Sequence, residues 1–199
     1  MMSTRYSSRL SQIKPHKAPP HWPSDVLYIA QQRYHTSVPA ELRSLLCPAE
    51  PLSSSLAGHH PQKTIVIRRI TEQSHPAYGQ CGLFAAKKIP PRSHIIDYAG
   101  EVHCDDRPAS DYDLSLYRDV SGSSVGIDAQ VVGNEARFVN DYRGIRSRPN
   151  AVFEERRTAA GELRMGVWSG NDPIKKGDEI LVSYGKGWWQ ARLGQTSSV

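Results

Sequence analysis

From residue 63 onward the chain is cut into short β-like runs by turn residues, and no helix-length amphipathic stretch separates one run from the next. Residues 64–70 are rich in β-branched side chains. Residues 78–88 place Gly79 and Gly82 ahead of an apolar run that Pro90-Pro91 ends. Residues 94–102 read HIIDYAGEV, and shorter alternating pieces follow at 112–117 and 124–127. Residues 151–155 and 163–168 form a strand pair joined by a loop with Ala159-Ala160-Gly161. The last run, 179–184, follows a turn made by Pro173, Lys175, Lys176, Gly177 and Asp178. Many short strands with turns between them describe a mostly β domain. The missing βαβ rhythm argues against a doubly wound nucleotide-binding sheet.

The first 62 residues have a different texture. Residues 1–23 are rich in Pro, Ser and Lys and read as a loosely attached arm. Pro23-Ser24-Asp25 resembles a helix start, and Val26, Ile29, Ala30 and Tyr34 fall near helical spacing, so a helix is predicted to run to residue 34. A second short helix is predicted over 39–46, with Pro39 at its start. Residues 47–62 read as a linker. The expected division is a Pro/Ser-rich arm with short helices at 1–62, one folded domain at 63–190 and a flexible tail at 191–199.

The 199 residues carry a net charge of +5, with basic pairs at Arg68-Arg69, Lys87-Lys88, Arg156-Arg157 and Lys175-Lys176 but no long basic run. That pattern does not make nucleic-acid binding the main role. The three cysteines, Cys47, Cys81 and Cys104, are widely spaced and form no C-x-x-C, so neither a disulfide scaffold nor a zinc site is expected. No apolar run reaches membrane-spanning length and the N-terminus lacks a secretory apolar core, which points to an intracellular, reducing compartment and no membrane role.

Four motifs stand out, each with an ordinary reading beside a functional one. Gly79-x-x-Gly82 is a tight turn or a loop that lets backbone approach a ligand. Tyr98-Ala99-Gly100-Glu101 is a strand running into a turn or a presented tyrosine. Arg137-Phe138-Val139-Asn140, followed by Pro149-Asn150, is a pinned loop or a binding segment. Tyr184-Gly185 with Trp188 and Trp189 is a strand end with a hydrophobic plug or a site.

In this order and spacing the motifs resemble the SET domain of protein lysine methyltransferases. That family has a Gly-containing loop before a Leu-Phe strand (here residues 79–85), a Tyr-x-Gly-Glu strand end (98–101), an Arg-Phe-x-Asn-His segment leading to Pro-Asn (137–141 and 149–150) and a closing Gly-Glu-Glu-Leu with a terminal Tyr-Gly (177–185). The resemblance spans about 63–190. It implies a mostly β fold of several small sheets with a knot-like C-terminal crossing, and S-adenosylmethionine (SAM) as cofactor. Carried over, Gly79, Gln80, Cys81, Gly82 and Leu83 would line the SAM loop. Arg137, Phe138, Asn140 and the backbone of Asp141 would cradle the cofactor, and Trp188, ahead of Trp189, would cover its adenine. Tyr184 would be the central catalytic residue, with Tyr98 beside it in a channel that admits a lysine side chain.

The chain departs from the family at three places. Asp141 stands where His is usual. Residues 142–146 are inserted before Pro149-Asn150, with an outward bulge as the default expectation. Val182 occupies a position where Phe or Tyr often limits methylation, so di- or trimethylation is expected. The implied activity is SAM-dependent methylation of a lysine in a protein or peptide, with a histone tail as first substrate and the nucleus as location. Glu101, Asp105, Asp106, Asp111 and Asp113 offer either an acidic patch for a basic tail or a solvated loop. Asp141 also leaves open a catalytically inactive SET-like module that binds a peptide or chromatin.

Overall fold

A computed structural model describes residues 17–48, 64–118, 122, 124–185 and 188–189. Residues 49–62 of the linker expected at 47–62, most of residues 1–23 and the tail at 191–199 lie outside the described residues. Among the described residues, thirteen short strands build five small sheets around a shared core. β3 (Ile65–Arg69) and β4 (Cys81–Ala85) form an antiparallel hairpin. β11 (Ala151–Arg157), β12 (Leu163–Ser169) and β5 (His94–Tyr98) form a three-stranded sheet in that order. The largest sheet runs β2 (Arg33–Tyr34), β6 (Glu101–His103), β8 (Ser124–Asp128), β7 (Asp113–Arg118).

The run 94–102 is one piece in sequence but serves two sheets. It breaks at Ala99-Gly100, β5 going to the three-stranded sheet and β6 to the four-stranded one. Gly100 permits the switch: a Cβ there would lie 2.4 Å from the Asp128 carbonyl oxygen, which is backbone and cannot yield.

The helix predicted up to residue 34 does not form. That segment holds β1 (Leu27–Tyr28) and β2, which pair in parallel with β9 (Val132–Gly133) and β6. Leu27 and Ile29 N–H donate to the Val131 and Gly133 carbonyls, and Arg33 and His35 N–H to those of Gly100 and Val102. The β-branched Val26 and Ile29 suit either state; the unpaired sheet edges decide it. The second predicted helix is present as α1 (Ala40–Leu46), with Pro39 at its N-cap and Leu46 fully buried. Val38 and Leu46 belong to the main core, so residues 17–48 pack on the β domain.

Two further elements complete the C-terminal half. A 3-10 turn, Glu135–Phe138, leads into β10 (Asn140–Asp141), which pairs in parallel with β13 (Leu181–Val182). On the other side of β13, Asn150 clasps the strand. Its backbone N–H donates to Leu181 O, its Nδ2 donates to Glu179 O at 2.8 Å, and its Oδ1 accepts from Leu181 N at 2.8 Å. The final strand thus passes between residues 140–142 and Asn150, which is the expected crossing.

The acidic residues of 101–113 are largely paired. Arg107 binds Glu101 (2.8 Å), Asp128 (3.2 Å) and Asp105 (3.3 Å). His103, only 3% exposed, lies between the Asp105 carbonyl on Nδ1 (2.8 Å) and Asp113 on Nε2 (3.0 Å). Burial opposes its charge, but the bond to Asp113, that carboxylate's charge and the Asp105 carbonyl outweigh burial and nearby Arg107, and its pKa is raised above 6.5. Unfolded His titrates near 6.5, so the stabilisation from this raised group is complete below that pH and is lost as pH rises through the folded value. Urea denaturation from pH 6 to 9 is expected to show this decline, and His103→Asn to flatten it.

Candidate active site

An open cleft of about 870 Å³ collects segments far apart in sequence. The loop before β4 contributes His75, Pro76, Ala77, Gln80 and Cys81. The end of β5 contributes Tyr98, and β7 and its approach contribute residues 111–115. The turn and β10 contribute residues 137–141. Arg143, Ile145, Phe153, Tyr184, Trp188, Trp189 and Pro23 complete the wall.

Tyr98 and Tyr184 are brought to the same cleft. Each phenol donates its proton to a backbone carbonyl: Tyr98 to Tyr112 O at 2.7 Å, Tyr184 to Val139 O at 2.8 Å. Burial is the main cause that pushes both pKa values upward, with the Tyr184 phenol adding to it at Tyr98 and the Asp141 carboxylate at Tyr184. Both rings are therefore neutral phenols whose oxygen lone pairs remain available to a ligand N–H. Phe153 stands edge-on to Tyr98 with centroids 6.0 Å apart, and Trp188 packs against Tyr184 at 4.8 Å.

Asn140 is oriented by a buried relay. Its Nδ2 donates to Glu179 Oε1 at 2.8 Å and faces Cys81 O at 3.5 Å. Both partners only accept, so the amide can face them only with its nitrogen, and Asn140 Oδ1 is left without a partner among the described residues. The other oxygen of Glu179 meets His75 Nε2 at 2.9 Å, both side chains being 8% exposed. His75 Nδ1 accepts from Ala77 N–H, which assigns the ring proton to Nε2. His75 and Glu179 thus fix the loop 75–81 and Asn140 together. Neither role is visible as a motif; the signal was a lone His just ahead of the Gly79 loop.

Of the expected loop residues, Gln80 and Cys81 line the cleft, while Gly79, Gly82 and Leu83 do not. Gly79 makes the turn, at φ +79°. A Cβ at Gly82 would lie 2.5 Å from Glu179 Oε1, so this glycine makes room for the relay. Leu83 is fully buried in the core.

Arg137 and Phe138 line the cleft from behind. The Arg137 guanidinium donates to Ala129 O at 2.9 Å and lies 4.0 Å from the Tyr112 ring centroid. Phe138 packs edge-on against Trp22 at 5.6 Å.

Asp141 works through its side chain. It accepts from Arg143 N–H and Nη1, from Tyr184 N–H at 2.8 Å and from Trp189 Nε1 at 3.2 Å. It thereby ties β10 to the strand end that carries Tyr184. The insert at 142–146 does not bulge away: Ile145 and Arg146 N–H turn back onto Tyr142 O, and Arg143 and Ile145 face the cleft. Val182, expected to leave room for methyl groups, is fully buried in the core beside Asp141 and is not among the residues that line the cleft. Phe153, which sequence reasoning passed over, occupies the wall next to Tyr98 instead.

A family model described as SET domain matches residues 80–185. The Drosophila melanogaster histone-lysine N-methyltransferase Set2 is 34% identical over 116 residues, which is 52% of this chain and 4% of that protein. The chain thus spans a small part of that relative's length. Among solved structures, ATXR5 in complex with a mono-methylated histone H3.1 gives a TM-score of 0.58 at 14% identity, covering 81% of this chain and 82% of that one. A Chaetomium thermophilum Polycomb Repressive Complex 2 gives 0.50 at 20%, covering 67% and 17%. At these identities the structures share the fold, and with the family match over more than half of its length, the chain belongs to the SET domain family.

Proposed function

We propose that this chain is a SAM-dependent protein lysine N-methyltransferase that acts on a histone tail in the nucleus. The observation that carries the reading is the pair of neutral phenols, Tyr98 and Tyr184, each locked to a backbone carbonyl at the aromatic wall of one cleft that also presents Asn140.

The cleft's donor set fits SAM. Asn140 Oδ1, with no partner among the described residues, is an acceptor suited to an ammonium, Trp188 and Trp189 offer flat faces for a purine, and the 75–81 loop brings backbone to the wall. When bound, SAM supplies an electrophilic methyl on a sulfonium. The chain's own part is to prepare the amine. A free lysine has a pKa of about 10.4 and must lose its proton to attack. Walls made by Tyr98, Tyr112, Phe153 and Tyr184 disfavour the ammonium, so the proton leaves toward solvent as the side chain enters. The Tyr184 and Tyr98 oxygens, with their own protons committed, accept the amine N–H groups and aim the lone pair along the channel. Positioning supplies most of the rate.

The alternative of an inactive peptide- or chromatin-binding module rests on Asp141 in place of His. The bonds from Asp141 to Arg143, Tyr184 and Trp189 hold the strand end without a histidine, which favours the enzyme. Calorimetry with SAM and S-adenosylhomocysteine, followed by transfer of labelled methyl to histone peptides, tests the reading. Micromolar binding of both and label on lysine are expected; binding of neither supports the module.

Glu179→Gln probes the relay. A glutamine amide can donate as well as accept, so Asn140 is no longer forced to present Oδ1. SAM affinity is expected to fall by about tenfold, equivalent to about 1.4 kcal/mol, with a smaller change in turnover at saturating SAM. Unchanged affinity by calorimetry would remove the relay from cofactor binding.

A further inference from the structure

Two of the four basic pairs in the sequence meet in the fold. Lys87-Lys88 follows β4, and Lys175-Lys176 lies in the turn before β13. The two segments run antiparallel in one register. Ile89 and Ile174 exchange backbone bonds of 2.9 and 3.0 Å, Ala85 N–H donates to Asp178 O at 2.9 Å, and Phe84 bridges Glu179. Both lysine pairs therefore lie between these contacts, Lys175-Lys176 in a turn that Asp178 N–H closes on Lys175 O.

All four lysines are exposed, and none forms an ion pair among the described residues. The neighbouring carboxylates are engaged elsewhere: Asp178 with Arg146 at 3.8 Å, Asp172 with Arg148 at 2.7 Å. Four like charges on two hydrogen-bonded segments repel, and none of them has an ion-pair partner among the described residues to offset this. The arginine pairs differ. Arg156 grips both oxygens of Asp97 at 2.7 and 3.0 Å, and Arg68 lies over the Phe84 ring.

We propose that Lys87, Lys88, Lys175 and Lys176 form a docking surface for the phosphate backbone of duplex DNA. The surface stands apart from the cleft and does not depend on the reaction proposed above. A duplex carries one negative charge per about 1.7 Å of its axis, so a cluster of lysines meets several phosphates at once. Ile89 and Ile174, which adjoin the pairs, are buried, so neither offers the apolar anchor that a protein partner requires. Phe84, on β4 ahead of Lys87, is covered by Arg68 and so offers no platform for the unstacked bases of single strands. Cys81 lines the cleft at the start of β4, whereas Lys87 and Lys88 follow its far end and none of the four lysines lines the cleft, so cleft and surface can be occupied together.

The test is fluorescence anisotropy of a labelled mixed-sequence duplex across a salt series. It compares the parent chain, the variant K87Q/K88Q/K175Q/K176Q, and a control that removes equal charge elsewhere, R68Q/R69Q/R118Q/R148Q. The lysine variant is expected to lose at least about tenfold in affinity at 0.1 M salt, and its log K against log salt slope to fall by about 3 to 4. The arginine control should lose far less. Thermal melting and SAM calorimetry should show the lysine variant folded, no less stable and unchanged in SAM binding, since none of the four faces the cleft. Equal losses in both variants, or no loss in the lysine variant, overturn the proposal. Patch-dependent binding that is tighter to single-stranded RNA, to phosphatidylserine vesicles or to a polyglutamate peptide than to the duplex overturns the assignment to DNA.

Discussion

Tyr184→Phe is expected to lower turnover by about a hundredfold or more while leaving the fold and SAM affinity close to those of the parent. The ring keeps its contact with Trp188, and the backbone N–H keeps its bond to Asp141, so the cleft wall survives. What disappears is the one oxygen at this position that is fixed by Val139 O and can accept an amine N–H. Without it the amine keeps more orientations in the channel, and alignment with the breaking bond becomes rare. Single-turnover kinetics with saturating SAM, beside calorimetry, separate this from a binding defect. Turnover within threefold of the parent would show that Tyr184 is a wall residue only. Tyr98→Phe should behave similarly but more weakly, because Phe153 also supports that side of the channel.

Asn150→Ala is expected to lower folding stability by about 3 kcal/mol, among the largest losses available from removing one polar side chain here. The carboxamide acts as a short piece of strand: it donates to Glu179 O and accepts from Leu181 N–H, both at 2.8 Å. Leu181 is fully buried, so its N–H finds no water when the partner is removed. Each orphaned group costs about 1–3 kcal/mol. Asn150→Asp restores the acceptor for Leu181 but sets a carboxylate against the Glu179 carbonyl, and should recover only part of the loss. Urea denaturation gives the values directly; a loss under about 0.5 kcal/mol for the alanine variant would mean that the carboxamide does not hold β13, which the backbone bonds to β10 and to residue 150 would then secure.

The strands with four or more alternating or β-branched residues were legible in the sequence, because their pattern is local. β3, β4, β7, β8, β11 and β12 all fall where alternation placed them. Of the five two-residue strands, β13 falls inside the expected run 179–184, whereas β1, β2, β9 and β10 carry no period and exist only because a distant edge offers free backbone groups. That is why 24–34 read as helix. The site divides in the same way. Tyr98, Asn140 and Tyr184 belong to ordered motifs and could be named in advance. His75, Glu179 and Phe153 acquire their places only when the loop before β4, β13 and β11 meet, and no spacing rule connects them. Gly82 and Val182 show the converse: motif position put them at the ligand, whereas packing puts one against Glu179 and the other in the core.

The passage of β13 between residues 140–142 and Asn150 has a consequence for synthesis. A nascent chain can pair β3 with β4, β11 with β12 and β6 with β8 as each emerges, but Glu179, Leu181 and Tyr184 arrive after all of them. Until then Asn140 has no carboxylate to orient it, the His75 loop has no anchor, and the slot for Leu181 is an open apolar groove. At roughly 5–20 residues per second, a ribosome takes a few seconds to travel from Asn140 to Tyr184. During that interval the chain presents nearly every strand of the domain and no cofactor pocket. A translation arrest in this window would release a sticky, inactive product for chaperones or proteases to clear.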